Sequence, residues 1–145
     1  MLFLVHHAHA VDATVDPQRP LTEVGRAHAD RMAVRARERG AKPEVIWHSG
    51  KLRARQTAEP MWRACNPLAE LSAARGLQPD DPPEWIRDVM QADPRQIMIV
   101  GHMPHIARLY RLLVPAEDQP EDFPQHGLVA LERGAGRWSE LWREW

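Results

Sequence analysis

Five apolar residues, Met1-Leu2-Phe3-Leu4-Val5, run straight into three histidines, His6, His7 and His9. A run of this length containing aromatic Phe3 and β-branched Val5 fits one strand, and a strand apolar on both faces belongs in a parallel sheet covered by helices. Open sheets of that kind bind ligands beyond the carboxyl ends of their strands. The opening segment thus predicts a layered α/β fold and puts imidazoles where such a fold does chemistry.

The arrangement recurs. Val45-Ile46-Trp47 follows Pro43 and ends at His48-Ser49-Gly50, with a helix predicted over 51–65. Ile97-Met98-Ile99-Val100 stops at Gly101-His102, and Pro104 opens a helix to about Leu113. Between the first two strands, Val11 to Pro20 has loop composition, Thr22 is placed to cap a helix reaching about Arg39, and Gly40 ends it with a left-handed cap. Leu21, Val24, Ala27, Met32, Val34 and Ala36 follow a helical stripe only loosely, but the segment is rich in Ala and Arg, good helix formers. A short strand is expected within Leu68–Arg75, then a loop over 76–83 and a helix over Glu84–Ala92. Proline-rich 115–124 reads as a surface excursion. Gly127–Glu132 and Arg137–Trp142, separated by Arg133-Gly134-Ala135-Gly136, predict a hairpin, with Trp138, Trp142 and Trp145 as packing residues.

The whole is expected to be one domain, 1–145: a three-layer α/β/α sandwich with a mainly parallel central sheet and an antiparallel carboxyl-terminal hairpin. Nineteen basic against twenty acidic residues leave no overall electrostatic footprint for nucleic acid or an anionic membrane. The single cysteine, Cys65, excludes an internal disulfide framework and is read as a small buried residue. With no signal-peptide pattern and no apolar stretch long enough to span a bilayer, a cytoplasmic protein is expected.

The three strand ends share a pattern. Val5-His6-His7-Ala8, Ser49 with Arg53-Ala54-Arg55-Gln56-Thr57-Ala58, and Val100-Gly101-His102 with Pro104 resemble the histidine phosphatase superfamily. Arg19-Pro20-Leu21-Thr22-x-x-Gly25 and Leu77-x-Pro79-x-Asp81 are similar to the small SixA-type phosphohistidine phosphatases. The resemblance implies a phosphoglycerate mutase-like fold and a two-step phosphoryl transfer through a phosphorylated histidine. His7 matches the nucleophile, Arg53 and His102 the groups that stabilise the transferring phosphoryl, and Arg19 and Ser49 further phosphate contacts. Asp81, or its neighbour Asp80, lies in the loop from which such families draw an acid; Asp81 is equally placed to cap the helix after Pro82. No metal or organic cofactor is implied. The expected partner is a phosphorylated protein, such as a phosphotransfer domain, or a small phosphorylated substrate.

One departure matters. The family's first motif reads Arg-His, whereas position 6 is His6. A neutral imidazole offers one donor where guanidinium offers a charged fork. Losing one transition-state donor costs about 2.7 to 4 kcal/mol, roughly 10² to 10³ in rate. Protonated His6, His9 or Lys51 could partly replace the charge. Two further readings follow: a phosphate- or phosphohistidine-binding regulatory module weakened or disabled by the substitution, and a small-molecule phosphomonoesterase. A metal-binding protein using His6, His7 and His9 is a third, although strand alternation turns His6 away from the other two. His28, His48, His105 and His126 are taken as incidental, and Lys51 and Arg55 as a solvated helix face.

Overall fold

The computed structural model describes residues 1–145. Its six strands are β1 Leu2–His6, β2 Val45–His48, β3 Glu70–Ala73, β4 Ile97–Gly101, β5 Leu128–Arg133 and β6 Trp138–Glu144. The helices are α1 Glu23–Glu38, α2 Leu52–Cys65, α3 Pro83–Gln91 and α4 His105–Leu113. The strands form one sheet in the order β3-β2-β4-β1-β5-β6, parallel from β3 to β1 and antiparallel through β5 and β6.

Strand alternation divides the core in two. Leu2 and Leu4 of β1 join Ile97, Ile99 and the α3 and α4 residues Ile86, Met90, Ile106 and Leu109. Phe3 and Val5 turn the other way to meet Met98, Val100 and the α1 and α2 residues Met32, Ala36, Ala58 and Met61. Because β1 and β4 are buried at every position, their uninterrupted apolar runs are the sequence trace of this double-sided burial. Both faces of the sheet are covered, as expected, and the hairpin occupies one edge.

Two expectations of side-chain placement are corrected. The inward face of α1 is Gly25, Ala29, Met32, Ala33 and Ala36, while Val24 and Val34 are exposed. Small residues let α1 lie close to α2 and to the sheet, so the stripe is set by size as well as polarity. Trp138 and Trp142 pack against the two halves of the core, with Arg39 over the Trp142 ring, whereas Trp145 is exposed. The hairpin is tied to α4 by Glu140, which accepts from Tyr110 Oη at 2.6 Å and from Arg143 Nε at 2.6 Å. No helix is long and apolar enough to cross a membrane.

Candidate active site

Adjacent strands β1 and β4 send their following helices to opposite faces of the sheet, α1 to one and α4 to the other. A crevice opens outside the carboxyl ends of two such strands. His7, one residue past β1, and His102, one residue past β4, stand on its two sides with ring centroids 5.1 Å apart. The backbone locks the pairing up to this point, since His7 N–H donates to Gly101 O at 3.0 Å.

The tautomers of the two leading histidines follow from their partners. His7 Nδ1 lies 2.7 Å from Ala8 O, a carbonyl that only accepts, so Nδ1 carries the hydrogen and Nε2 keeps its lone pair. His6 is the reverse. The backbone N–H of His126 donates to His6 Nδ1 at 2.8 Å, which leaves the hydrogen of the neutral ring on Nε2. His6 thereby presents an N–H and His7 a lone pair, although the residues are adjacent and chemically identical.

Strand β1 ends at His6, and the expected alternation does not continue past it. The His6 and His7 rings meet edge to face at 4.6 Å instead of pointing apart. A ring nitrogen of each of His6, His7 and His126 lies within 4.8 Å of the others, while His9 is exposed. The His6–His7–His9 metal site therefore does not form. The alternative trio is also a poor metal cage, because His6 Nδ1 is already accepting and its Nε2 holds a proton, leaving two imidazole lone pairs where zinc takes three or four protein ligands.

Helix α2 supplies the scaffolding. Thr57 Oγ1 donates to Arg53 O at 2.8 Å and accepts from Ala8 N at 3.0 Å, so α2 grips the segment carrying His7. Gln56 Oε1 accepts from Leu21 N at 2.8 Å and holds the 19–22 turn against the same helix. In that turn, Thr22 Oγ1 accepts from Gly25 N at 3.0 Å as the α1 cap. Gly25 is required by close approach, since a Cβ there would sit 2.1 Å from His9 O. Arg19 adopts a positive φ of 49° and its Nε donates to Val11 O at 3.1 Å. The Arg-x-x-Gln-Thr and Leu-Thr-x-x-Gly spacings thus do structural work between elements that meet at the crevice.

Arg53 Nε is buried without a partner in the protein, and the guanidinium acts on His6, His7 and His102 alike. Ser49 Oγ is 2.5 Å from His102 Nε2. Burial, then neighbouring charges, pushes His7 down to about 4, His6 to about 3 and His102 to about 2. Every charged neighbour acting on these three rings is basic: other histidines, Arg53, Arg19 or Lys51. Uncharged imidazoles ringed by cations, with an unpartnered guanidinium nitrogen, make a site for an anion.

Asp81 lies in the loop before α3. Its Oδ2 accepts from Gln78 N at 2.9 Å, and it lines a neighbouring cavity with Ser49, Gly76, Gln78 and Trp85. It does not cap α3, whose N-cap position is Pro82. Gln78 Nε2 donates to Ser49 O at 2.8 Å, joining that loop to the crevice. The residue passed over as incidental is His126. It lines the open cavity beside His7, His9 and Arg19 and stacks on His6 at 4.7 Å, its ring 10° from parallel. The available signal was topological: in a hairpin added antiparallel to β1, the residues entering β5 must lie beside those leaving β1.

An anion-binding crevice at this point of a phosphoglycerate mutase-like sheet defines a phosphoryl-transfer class of protein. Residues 4–78 match the model of the histidine phosphatase superfamily (branch 1), and the chain belongs to that family. Among solved structures, a protein from Agrobacterium tumefaciens named as a SixA phosphohistidine phosphatase is 26% identical, with 99% of this chain and 96% of that one covered and a TM-score of 0.85. A protein histidine phosphatase SixA complexed with tungstate is 24% identical, covering 98% and 94%, with a TM-score of 0.85. A mycobacterial glucosyl-3-phosphoglycerate phosphatase complexed with VO3 is 16% identical, covering 97% of both chains, with a TM-score of 0.71. No curated protein matches significantly.

Proposed function

We propose that the chain is a phosphatase that removes phosphate from phosphohistidine on a protein, through phosphorylation of His7. His7 Nε2 forms a bond to phosphorus as the bond to the substrate imidazole breaks. The departing imidazole takes up a proton, water then attacks phosphorus, and His7 leaves with its electron pair restored. Arg53, Arg19, Ser49, His102 and the Nε2–H of His6 surround the transferring group and stabilise its equatorial oxygens.

The observation that carries the substrate class is that the carboxylates near the crevice are already engaged: Asp12, on the wall of the His7 cavity, accepts from Thr14 N and Oγ1, and Asp81 accepts from Gln78 N. An ester oxygen leaves as an alkoxide and needs an acid at hand, whereas a phosphoimidazole takes a proton from solvent on its distal nitrogen, which titrates near neutrality, and leaves as neutral imidazole. Asp81, engaged by Gln78, is a poor acid for that step. The SixA likeness supports the same substrate. Chain length does not discriminate, because the mycobacterial neighbour of different substrate is covered over 97% of its length.

The test is a substrate panel of phosphohistidine protein, an aryl phosphate and phosphoglycerate, with acid-labile phosphate traced on the enzyme. Release from phosphohistidine protein, with label on His7 and none in His7→Ala, is the expected result. Preference for phosphoglycerate would replace the substrate class, and binding without labelling or release would favour the regulatory-module reading.

A further inference from the structure

We propose that His126 is a phosphate-binding residue, a second imidazole that with His6 takes over the charge and donor capacity of the missing arginine. The inference rests on reading the His7 crevice as the phosphate site. Four contacts fix His126 there. Its backbone N–H sets the His6 tautomer, its ring stacks on His6, its Nδ1 lies 2.6 Å from His7 O, and its own carbonyl accepts from His28 Nε2 at 2.8 Å. Because His7 O can only accept, Nδ1 of His126 is the protonated nitrogen and Nε2 is the one left to exchange a proton. The residue sits at a φ of 53°, a left-handed conformation that histidine adopts more readily than most residues.

The charged and titratable groups facing His126 are His6 and His7 from the end of β1, His9 from the following loop and His28 from α1, with Asp12 and Arg19 further along the wall of the same cavity. Of these only Asp12 is acidic, and its carboxylate is engaged by Thr14. In the free protein burial outweighs the hydrogen bond to His7 O, the neighbouring His9 and His28 add to it, and the ring is held neutral. A tetrahedral dianion beside His7 supplies the missing counter-charge, Nε2 gains a proton, and the ring becomes a charge-assisted donor. Arginine would be charged before the ligand arrives; His126 becomes charged with it. Binding therefore draws a proton from solution.

Sulfate is the direct probe, since its own charge is constant across the working range; binding is read by calorimetry between about pH 6 and pH 8. His126→Asn keeps a donor for His7 O, tolerates the positive φ and removes only the exchanging nitrogen. The expected result is a loss of about tenfold or more at the acid end, little change at the alkaline end, and about one proton fewer taken up. In a His6→Arg background the same substitution should cost clearly less. Equal affinity and proton uptake in wild type and His126→Asn would overturn the proposal, and so would a loss equal at both ends, which marks a structural role. Wild-type protein that binds neither sulfate nor phosphate would remove the phosphate site itself and this inference with it.

Discussion

Acidification should unfold this protein through the same histidines that build its anion site. His6, His7 and His102 are held neutral by burial, with pKa values near 3, 4 and 2, against about 6.5 in an unfolded chain. Below that value the unfolded chain binds protons that the native site refuses, so stability is full above about pH 6.5 and falls with pH until the native values are reached. At about pH 5.5 each ring costs about 1.4 kcal/mol, and three together cost about 4 kcal/mol. His48, His105 and His126 are shifted in the same direction and add to the loss. Against a typical total of about 5 to 15 kcal/mol, that is a large share. Urea unfolding followed by circular dichroism at about pH 7.5 and 5.5, at constant ionic strength, measures it. Sulfate at about ten times its dissociation constant should return about 1.4 kcal/mol. A loss below about 1 kcal/mol would mean that the imidazoles are not held neutral, and the electrostatic account of the crevice would fail.

Other substitutions probe the scaffold and the chemistry separately. Gly25→Ala forces a Cβ against His9 O and should destabilise by about 1 to 3 kcal/mol in thermal or urea unfolding. Thr57→Val preserves shape but strands the buried Ala8 N–H, and should cost about 1 to 3 kcal/mol together with a drop in turnover from a loosened His7 segment. Arg53→Lys keeps the charge and loses the planar fork, so kcat should fall by about 10² while the unfolding midpoint is unchanged.

Strand ends were legible because double-sided burial writes itself as an apolar run and chemistry follows where the run stops. Leu2–Val5 and Ile97–Val100 announced both the sheet and the positions of His7 and His102. Relations between elements were less visible. Gln56 and Thr57 look like ordinary helix residues until α2 is laid against the 8–22 segment, where they accept from Leu21 N and Ala8 N. Period-two alternation, dependable within β1, failed one residue past its end, where the His6 and His7 rings come together. Asp81 was expected as an acid or a helix cap; the cap position is taken by Pro82, and its Oδ2 closes the turn on Gln78.

The sheet order also limits how a change at position 6 can be compensated. Strand β1 has two neighbours. On the β4 side its end faces Gly101 and His102, and His102 is already engaged with Ser49. On the other side β5 runs antiparallel, with Val5 opposite Leu128, so the 124–127 loop arrives at His6 by necessity of direction. His6 N–H donates to Gly127 O at 2.9 Å, and Gly127 leaves no space for a side chain, a Cβ there lying 2.6 Å from Pro124. Of the residues entering β5, His126 is the one whose ring stacks on His6, which makes it the place from which a lost cation can be supplied without rebuilding the sheet.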